Sequence, residues 1–336
     1  MQATDVSTLI IENCTINNSA LEGIYLTGLA GQAQLLGNSI GAAAKFGIFA
    51  QNSNVLIENN VIVNSGNGGV AIYESSEAGN NSIVRGNTIG QTSATLGGTG
   101  PYGNAISVYL SDYVMVANNT IYDSAFSAIR YNQSSFGQIL GNNCYGSTAT
   151  GIVIEAPGPD GSYSGGIIAN NIVDTAGEGI GVGNTPGHRV VISNNQVSNM
   201  VVQEVVPGLM STGRGIGGES DILVSGNQIE NTADWAIVLL PFTIDGTWTI
   251  AQAENNMIKT CAGGIAFLQS NSDTAIFIGG NTIYNYTETS KYAAIVACTY
   301  DGGTGDISRV SGSTDLGNAT SSGYSNVKLL LNYSFT

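Results

Sequence analysis

VLIENNVI, residues 55–62, is one copy of a phrase that can be written apolar-x-apolar-x-x-Asn-x-Ile. It returns as SIVRGNTI (82–89), VMVANNTI (114–121), ILVSGNQI (222–229) and IFIGGNTI (276–283), with some slack at its first position. Its asparagines read as Asn38, Asn60, Asn87, Asn119, Asn143, Asn171, Asn195, Asn227, Asn256 and Asn281, one every 27 residues on average. Cys14 takes this place ahead of Asn38. A second phrase, Gly/Ala followed by Ile/Val, is interleaved with the first. Its aliphatic positions run Ile24, Ile48, Val70, Ile106, Ile129, Ile152, Ile180, Ile216, Ile237, Ile265 and Ile295, again about 27 apart. Two markers with one period mean that each repeat is one physical unit.

Within a repeat, polarity alternates over three to five residues between Gly and Asn, the pattern of short strands, and no stretch sustains a 3.6-residue period. A short unit of this kind buries its apolar positions only by stacking on its neighbours, in parallel and in register. Asn suits a fixed turn place because it tolerates the left-handed conformation, and stacked amides can hydrogen-bond along the stack. The six prolines, Pro101, Pro157, Pro159, Pro186, Pro207 and Pro241, all fall between phrases. That is where the N–H that Pro lacks is not needed by a ladder. The expectation is an all-β solenoid of about eleven coils over residues 1–306, with a final coil or cap over 307–336 that contains the apolar run VKLLL (327–331).

The chain has 336 residues, 46 of them Gly, and only 10% are charged. The balance of charge is −15, and the nine basic residues are scattered singly. Nucleic acid is therefore not an expected partner, since it is bound by clustered Lys and Arg. No apolar run is long enough for a membrane-spanning helix. Cys14, Cys144, Cys261 and Cys298 form no CxxC pair, so buried thiols are expected rather than a metal site or a disulfide framework. No cofactor is expected, and no motif indicates calcium. Met1 to Thr8 runs directly into the first repeat without a leader, which reads as a domain cut from a longer chain or an end covered by another subunit.

Interruptions of the period point to function. Gln91–Asn104 and Met200–Arg214 lengthen coils between the Asn phrase and the Gly-Ile phrase. A second set follows the Gly-Ile strand: 155–165, 183–189, 239–248 and 298–306. Loops on both sides would make the Gly-Ile face the floor of a groove. With each Ile inward, residues one and three places later face out. These include Phe49, Ser107 and Arg130, then Tyr73, Tyr109, Asn132, Glu155 and Glu219. Glu178, Arg214 and Trp235 stand at the bend before the strand.

Such a set suits polysaccharide chemistry. Hydrolysis uses two carboxylates, and elimination on a uronate uses a base and a cation. Glu155, Glu178, Glu219 and Arg214 are the catalytic candidates. Arg130, Asn132, Tyr73, Tyr109 and Trp235 are the candidates for holding substrate. Glu155 and Glu219 occupy equivalent places two coils apart, about 10 Å by ladder spacing.

The repeats resemble those of the pectate-lyase-like superfamily of right-handed parallel β-helices, over about residues 8–300. That resemblance implies a right-handed parallel β-helix and an exterior location, on a cell or virion. It covers lyases, hydrolases, epimerases, tailspikes and adhesins alike. Glu178 in AGEGIGV is similar to the acid before the Gly of a polygalacturonase strand. The paired aspartates, Gly-His-Gly and Arg-x-Lys of that family are absent, and His188, in PGHR, belongs to none of them. Two readings stay open: a protein that binds and cleaves an extracellular polysaccharide, and a non-catalytic spike, tail fibre or adhesin. A homotrimer is one arrangement open to the second, with VKLLL as a strand that could pair with another chain.

Overall fold

The computed structural model describes residues 2–4, 8–29, 31–74, 81–95, 102–155, 165–183, 189–219, 221–240, 249–269, 274–284, 286, 295–299, 310–311, 314–315 and 327–331. Each coil contributes strands to two parallel sheets. One sheet stacks twelve strands, from Leu9–Glu12 to Val310–Ser311. The other, of 23 strands, merges the strands that follow the Asn turn with the Gly-Ile strands. Asn143–Glu155 and Ile172–Val182 run without a break through both positions. Each strand pairs with its equivalents in the coils on either side. Gly68–Tyr73, for example, lies between Phe46–Gln51 and Asn104–Tyr109. Val327–Leu331 extends the Gly-Ile column by pairing with Ile295–Thr299.

Aliphatic columns from both sheets fill the interior, with Leu35, Ile57, Val84, Val116 and Ile139 stacked on the twelve-stranded side. Ile24, Ile48, Val70, Ile106, Ile129 and Ile152 stack in register on the Gly-Ile strand, all with 0% exposure. Ile40, Ile62, Ile89 and Ile121 stack behind the Asn turn and are equally buried. Burying one such side chain is worth about 1.5–3 kcal/mol, and the ladder repeats the gain at every coil. Cys144 continues the column behind the Asn turn in register with Ile121. Burial pushes its thiol up to about 12, so it acts as a small apolar side chain. The glycine of the Gly-Ile phrase is a steric consequence of these columns. A Cβ on Gly47 would stand 2.3 Å from the Ile62 Cγ2 atom.

The asparagine column is continuous from Asn38 to Asn281, with one correction. Asn142, and not Asn143, is the rung of its coil. The Asn142 Nδ2 donates to Asn171 Oδ1 at 3.0 Å, and Asn119 Nδ2 donates to Asn142 Oδ1 at 2.9 Å. Asn143 lies in the strand beyond, paired with Thr120 and Ile172. Each rung also uses its Oδ1 to accept the backbone N–H of the rung before it, as Asn60 accepts from Asn38 at 2.8 Å. Cys14 N donates to Asn38 Oδ1, so Cys14 holds the rung position without supplying an amide.

The left-handed residue is not the rung but the residue before it. Asn13, Gly37, Asn59, Gly86, Asn118 and Gly141 all have φ between 54° and 65°. Where Gly follows Asn at this place the packing is close: a Cβ on Gly86 would come 2.5 Å from Asn59 Oδ1 of the preceding coil, although Asn170 and Asn194 hold it in consecutive coils.

Candidate functional site

The outward side of the Gly-Ile strands carries most of the expected residues in two registered columns. Three places after the inward aliphatic come Thr27, Gln51, Tyr73, Tyr109, Asn132 and Glu155, each beside the next. One place after it come Tyr25, Phe49, Ala71, Ser107, Arg130, Val153, Gly181 and Gly217.

The first coils form an aromatic stripe. Ring centroids are 5.7 Å apart for Tyr25–Phe49, 5.0 Å for Phe49–Tyr73 and 5.3 Å for Tyr73–Tyr109. The four rings are half-buried. They are tilted against one another by 35–43°, so each packs on its neighbours, and the Tyr25 hydroxyl donates to Gln51 Oε1 at 3.3 Å. Burial pushes the Tyr73 phenol up to about 12, opposed by its hydrogen bond with Ser107, and the group is neutral at ordinary pH.

The next coils are ionic. Arg130 donates from Nε and Nη2 to Glu155 Oε1, and Asn132 Nδ2 donates to the same oxygen at 3.2 Å. The guanidinium carbon lies 5.6 Å from the Phe126 ring centroid, a cation–π distance. Glu155 is thus tied into a network rather than standing as a bare carboxylate.

Glu178 stands in a different setting. Its strand neighbours at the next outward places are glycines, which leave a shallow notch. A Cβ on Gly217 would meet Glu178 Oε1 at 3.0 Å, and one on Gly181 would meet Glu178 Cδ at 4.0 Å. Burial pushes the carboxyl up to about 7, with Asp234 and Glu219 adding to the rise and Arg214 and the Thr212 side-chain hydrogen bond opposing it. Arg214 Nε bonds Asp234 Oδ2 at 3.3 Å, with both side chains nearly buried. Glu219 is on the same strand as Gly217, two residues along. Glu155 and Glu219 flank Gly183: a Cβ there would lie 3.8 Å from Glu155 Cβ and 3.9 Å from Glu219 Oε2.

The Met200–Arg214 insertion supplies a wall. Glu204–Val206 and Leu209–Met210 form an antiparallel hairpin. Gln203 Nε2 donates to the carbonyls of Ser147 and Thr148, which draws the hairpin back along the solenoid. Gly213 N donates to Gly177 O at 2.8 Å and closes it beside Glu178. Residues 96–101, 156–164, 184–188 with His188, and 241–248 lie outside the described residues, and so do the loop walls expected there.

Trp235 corrects an expectation. It has 0% exposure and offers no face to a sugar. Its indole turns into the corner and packs over Gly263, where a Cβ would come 2.4 Å from Trp235 Cε3. Asp234, Thr212, Gly181 and Gly217 were missed by reading the phrases alone. The glycines were visible in GIGV and GIGG at outward places. Asp234 carried no such signal, because it stands two residues ahead of the Ala236-Ile237 phrase, outside the places that were read.

The chain matches the family described as right-handed beta helix region over residues 1–89 and 30–161. A comparison with curated proteins gives no match. The tailspike protein of Escherichia coli bacteriophage HK620, solved in complex with a hexasaccharide, is similar with a TM-score of 0.52 and 14% identity, over 93% of this chain and 60% of that one. The enzymatically active domain of bacteriophage CBA120 tailspike protein 2 gives 0.48 and 12%, over 83% and 43%. The surface adhesin PfbA of Streptococcus pneumoniae gives 0.47 and 13%, over 93% and 84%. The chain spans less than two thirds of either tailspike chain. The stacked parallel coils, the family match over the first 161 residues and the likeness to the HK620 tailspike together give this chain the fold of a right-handed parallel β-helix.

Proposed function

We propose that the chain binds a polysaccharide at a cell or virion exterior, along the outward Gly-Ile face, and cleaves it at Glu178. The observation that carries this reading is the Glu178 notch: a carboxyl with its pKa raised to about 7, set over two glycines and beside a second carboxylate. A general acid is most useful when its pKa lies near the working pH. In hydrolysis Glu178 would give its proton to the glycosidic oxygen as the bond from that oxygen to the anomeric carbon breaks. Water would bond to the anomeric carbon, and its proton would pass to Glu219. Glu219 is two positions beyond Gly217, the glycine that Glu178 Oε1 stands against, so a water-activating carboxylate sits along the strand from the acid, as inverting hydrolysis uses. The aromatic stripe and Asn132 would hold the chain leading to the notch. The similar tailspike with its bound hexasaccharide is in keeping with this use of the fold. In the test, a polysaccharide bound by the wild type on a glycan array is also measured with Tyr109→Ala. Loss of one aromatic contact is expected to weaken binding roughly tenfold. Unchanged affinity would remove the stripe from the binding face.

A second reading, a non-catalytic oligomeric spike, is favoured by the other sheet. The outward column from Ile10 through Leu56, Ile83, Met115, Ile167 and Leu223 to Gln252 contains no charged residue. Ile10 is 55% and Ile167 43% exposed. Beside it Tyr113 and Phe136 stack at 4.9 Å, both exposed and both held at positive φ. Bulky residues in that conformation cost of order 1 kcal/mol each. The strip is roughly 45 Å tall at strand spacing. The column is interrupted by Gln34, Gln138 and Gln252, so its apolar area is of the order of a monomer's largest patch, a few hundred Å², and an interface of about 800 Å² per partner would draw on the neighbouring surface as well. Copies of this chain are the occupants this reading requires, with three-fold packing as one arrangement. Light scattering is expected to give an oligomeric mass for the wild type and a monomer for Ile167→Asp. A monomeric wild type at all concentrations would sink the spike reading.

A further inference from the structure

The charges on the Gly-Ile face constrain what it can bind. Among the residues whose side chains are described, three cations lie on or beside this face and each meets a carboxylate: Lys45 with Glu22, Arg130 with Glu155, and Arg214 with Asp234; Lys328 takes an outward place in the last strand of the column, in register with Val296. Arg130 and Arg214 are only 12% and 13% exposed. A uronate carboxylate reaching either arginine must displace a partly desolvated partner and leave that partner uncompensated, which is strongly unfavourable. Glu74, Glu178 and Glu219 add acidic groups to the same face, on a chain whose net charge is already −15. The remaining contacts are those an uncharged sugar uses. They are uncharged groups whose present partners are exchanged at low cost, the Tyr25 hydroxyl on Gln51 and the Tyr73 hydroxyl on Ser107, together with the Asn132 amide and the rings of Phe49 and Tyr109.

We infer that the glycan taken by this face is uncharged, with hydroxyl or N-acetyl groups in place of uronic acids, and that cleavage is hydrolysis rather than elimination. This rests on the proposed glycan-binding role of the face. Elimination removes a proton next to a uronate carboxylate and needs a cation to hold the charge that develops. Both arginines here already neutralise a protein carboxylate. Hydrolysis of a neutral chain needs only water, the proton on Glu178 and an accepting carboxylate.

The test uses the whole chain and a panel of immobilised polysaccharides: dextran, xylan, mannan and N-acetylglucosamine polymers against polygalacturonate, alginate and hyaluronan, at 20 and 150 mM salt. The expected result is binding of at least one neutral polymer, with every uronate polymer at least tenfold weaker at both salt concentrations. Asp234→Asn, which removes the Arg214–Asp234 ion pair, is expected to narrow that gap at low salt, while circular dichroism confirms that the variant is folded. Equal or tighter binding of a uronate polymer by the wild type overturns the inference and leaves the groove reading standing. So does any release of unsaturated uronate. An absence of binding across the whole panel overturns the groove reading and the inference with it.

Discussion

Replacing Asn142 by Leu is expected to lower stability by about 4 kcal/mol, whereas replacing the adjacent Asn143 by Thr should change it by less than about 0.5 kcal/mol. Asn142 has 0% exposure and sits inside the ladder. Its Oδ1 accepts from Asn119 N at 3.0 Å and Asn119 Nδ2 at 2.9 Å. Its Nδ2 donates to Val116 O at 3.0 Å and to Asn171 Oδ1 at 3.0 Å. Leucine is close in volume but supplies neither function, so buried donors on Asn119 and acceptors on Val116 and Asn171 lose a partner together. Each orphaned group costs about 1–3 kcal/mol, and the losses overlap because they share one site. Asn143 sits in register with Thr120 and Ile172, so its place already accepts β-branched side chains. Urea denaturation followed by circular dichroism checks the contrast. Equal losses for the two variants would mean that the ladder does not hold the coils together.

Glu178→Gln is expected to abolish cleavage, by about 1,000-fold, while leaving glycan affinity nearly unchanged. Glutamine keeps the shape of the side chain but has no acidic proton to give. Wild-type activity should fall as pH rises through about 7, the pKa to which burial pushes this carboxyl. The same group makes stability pH-dependent. Unfolded, it ionises near its ordinary value of 4.5; folded, it holds its proton to about 7. Its contribution is therefore fully present below about 4.5 and is lost as pH rises through about 7. The wild type should melt at a lower temperature at pH 8 than at pH 5, and Glu178→Gln should show a smaller fall. A melting profile in which the two proteins track each other would put Glu178 in open water rather than in the notch. Retained cleavage by the variant would remove it as the acid.

The ion pairs of the site were less legible than the fold. Arg214 and Glu178 stand at the same corner place on neighbouring coils, and Arg214 acts on the Glu178 carboxyl against the rise from burial. The structure adds Asp234, which bonds Arg214 at 3.3 Å. Which carboxylate an arginine meets depends on how the chain turns before the Gly-Ile strand, and the Met200–Arg214 hairpin resets that turn. Glu155 was readable as an outward residue. Its capture by Arg130 was not, since that depends on side-chain reach between coils.

The sequence by itself determined the solenoid, the inward aliphatic columns and the outward parity of Tyr73, Tyr109, Asn132, Glu155 and Glu219. These follow from local alternation repeated at one period, and in-register stacking copies each local choice from coil to coil. The rung at Asn142 was legible too, since Ile139 and Cys144 set the phrase around it; the tertiary structure alone sealed Trp235 into a corner over Gly263 and set Glu178 over glycines with Asp234 close by. Those outcomes are contacts between coils more than twenty residues apart. They turn on the shape of each corner and the depth of packing there, which a period counted along one chain does not contain.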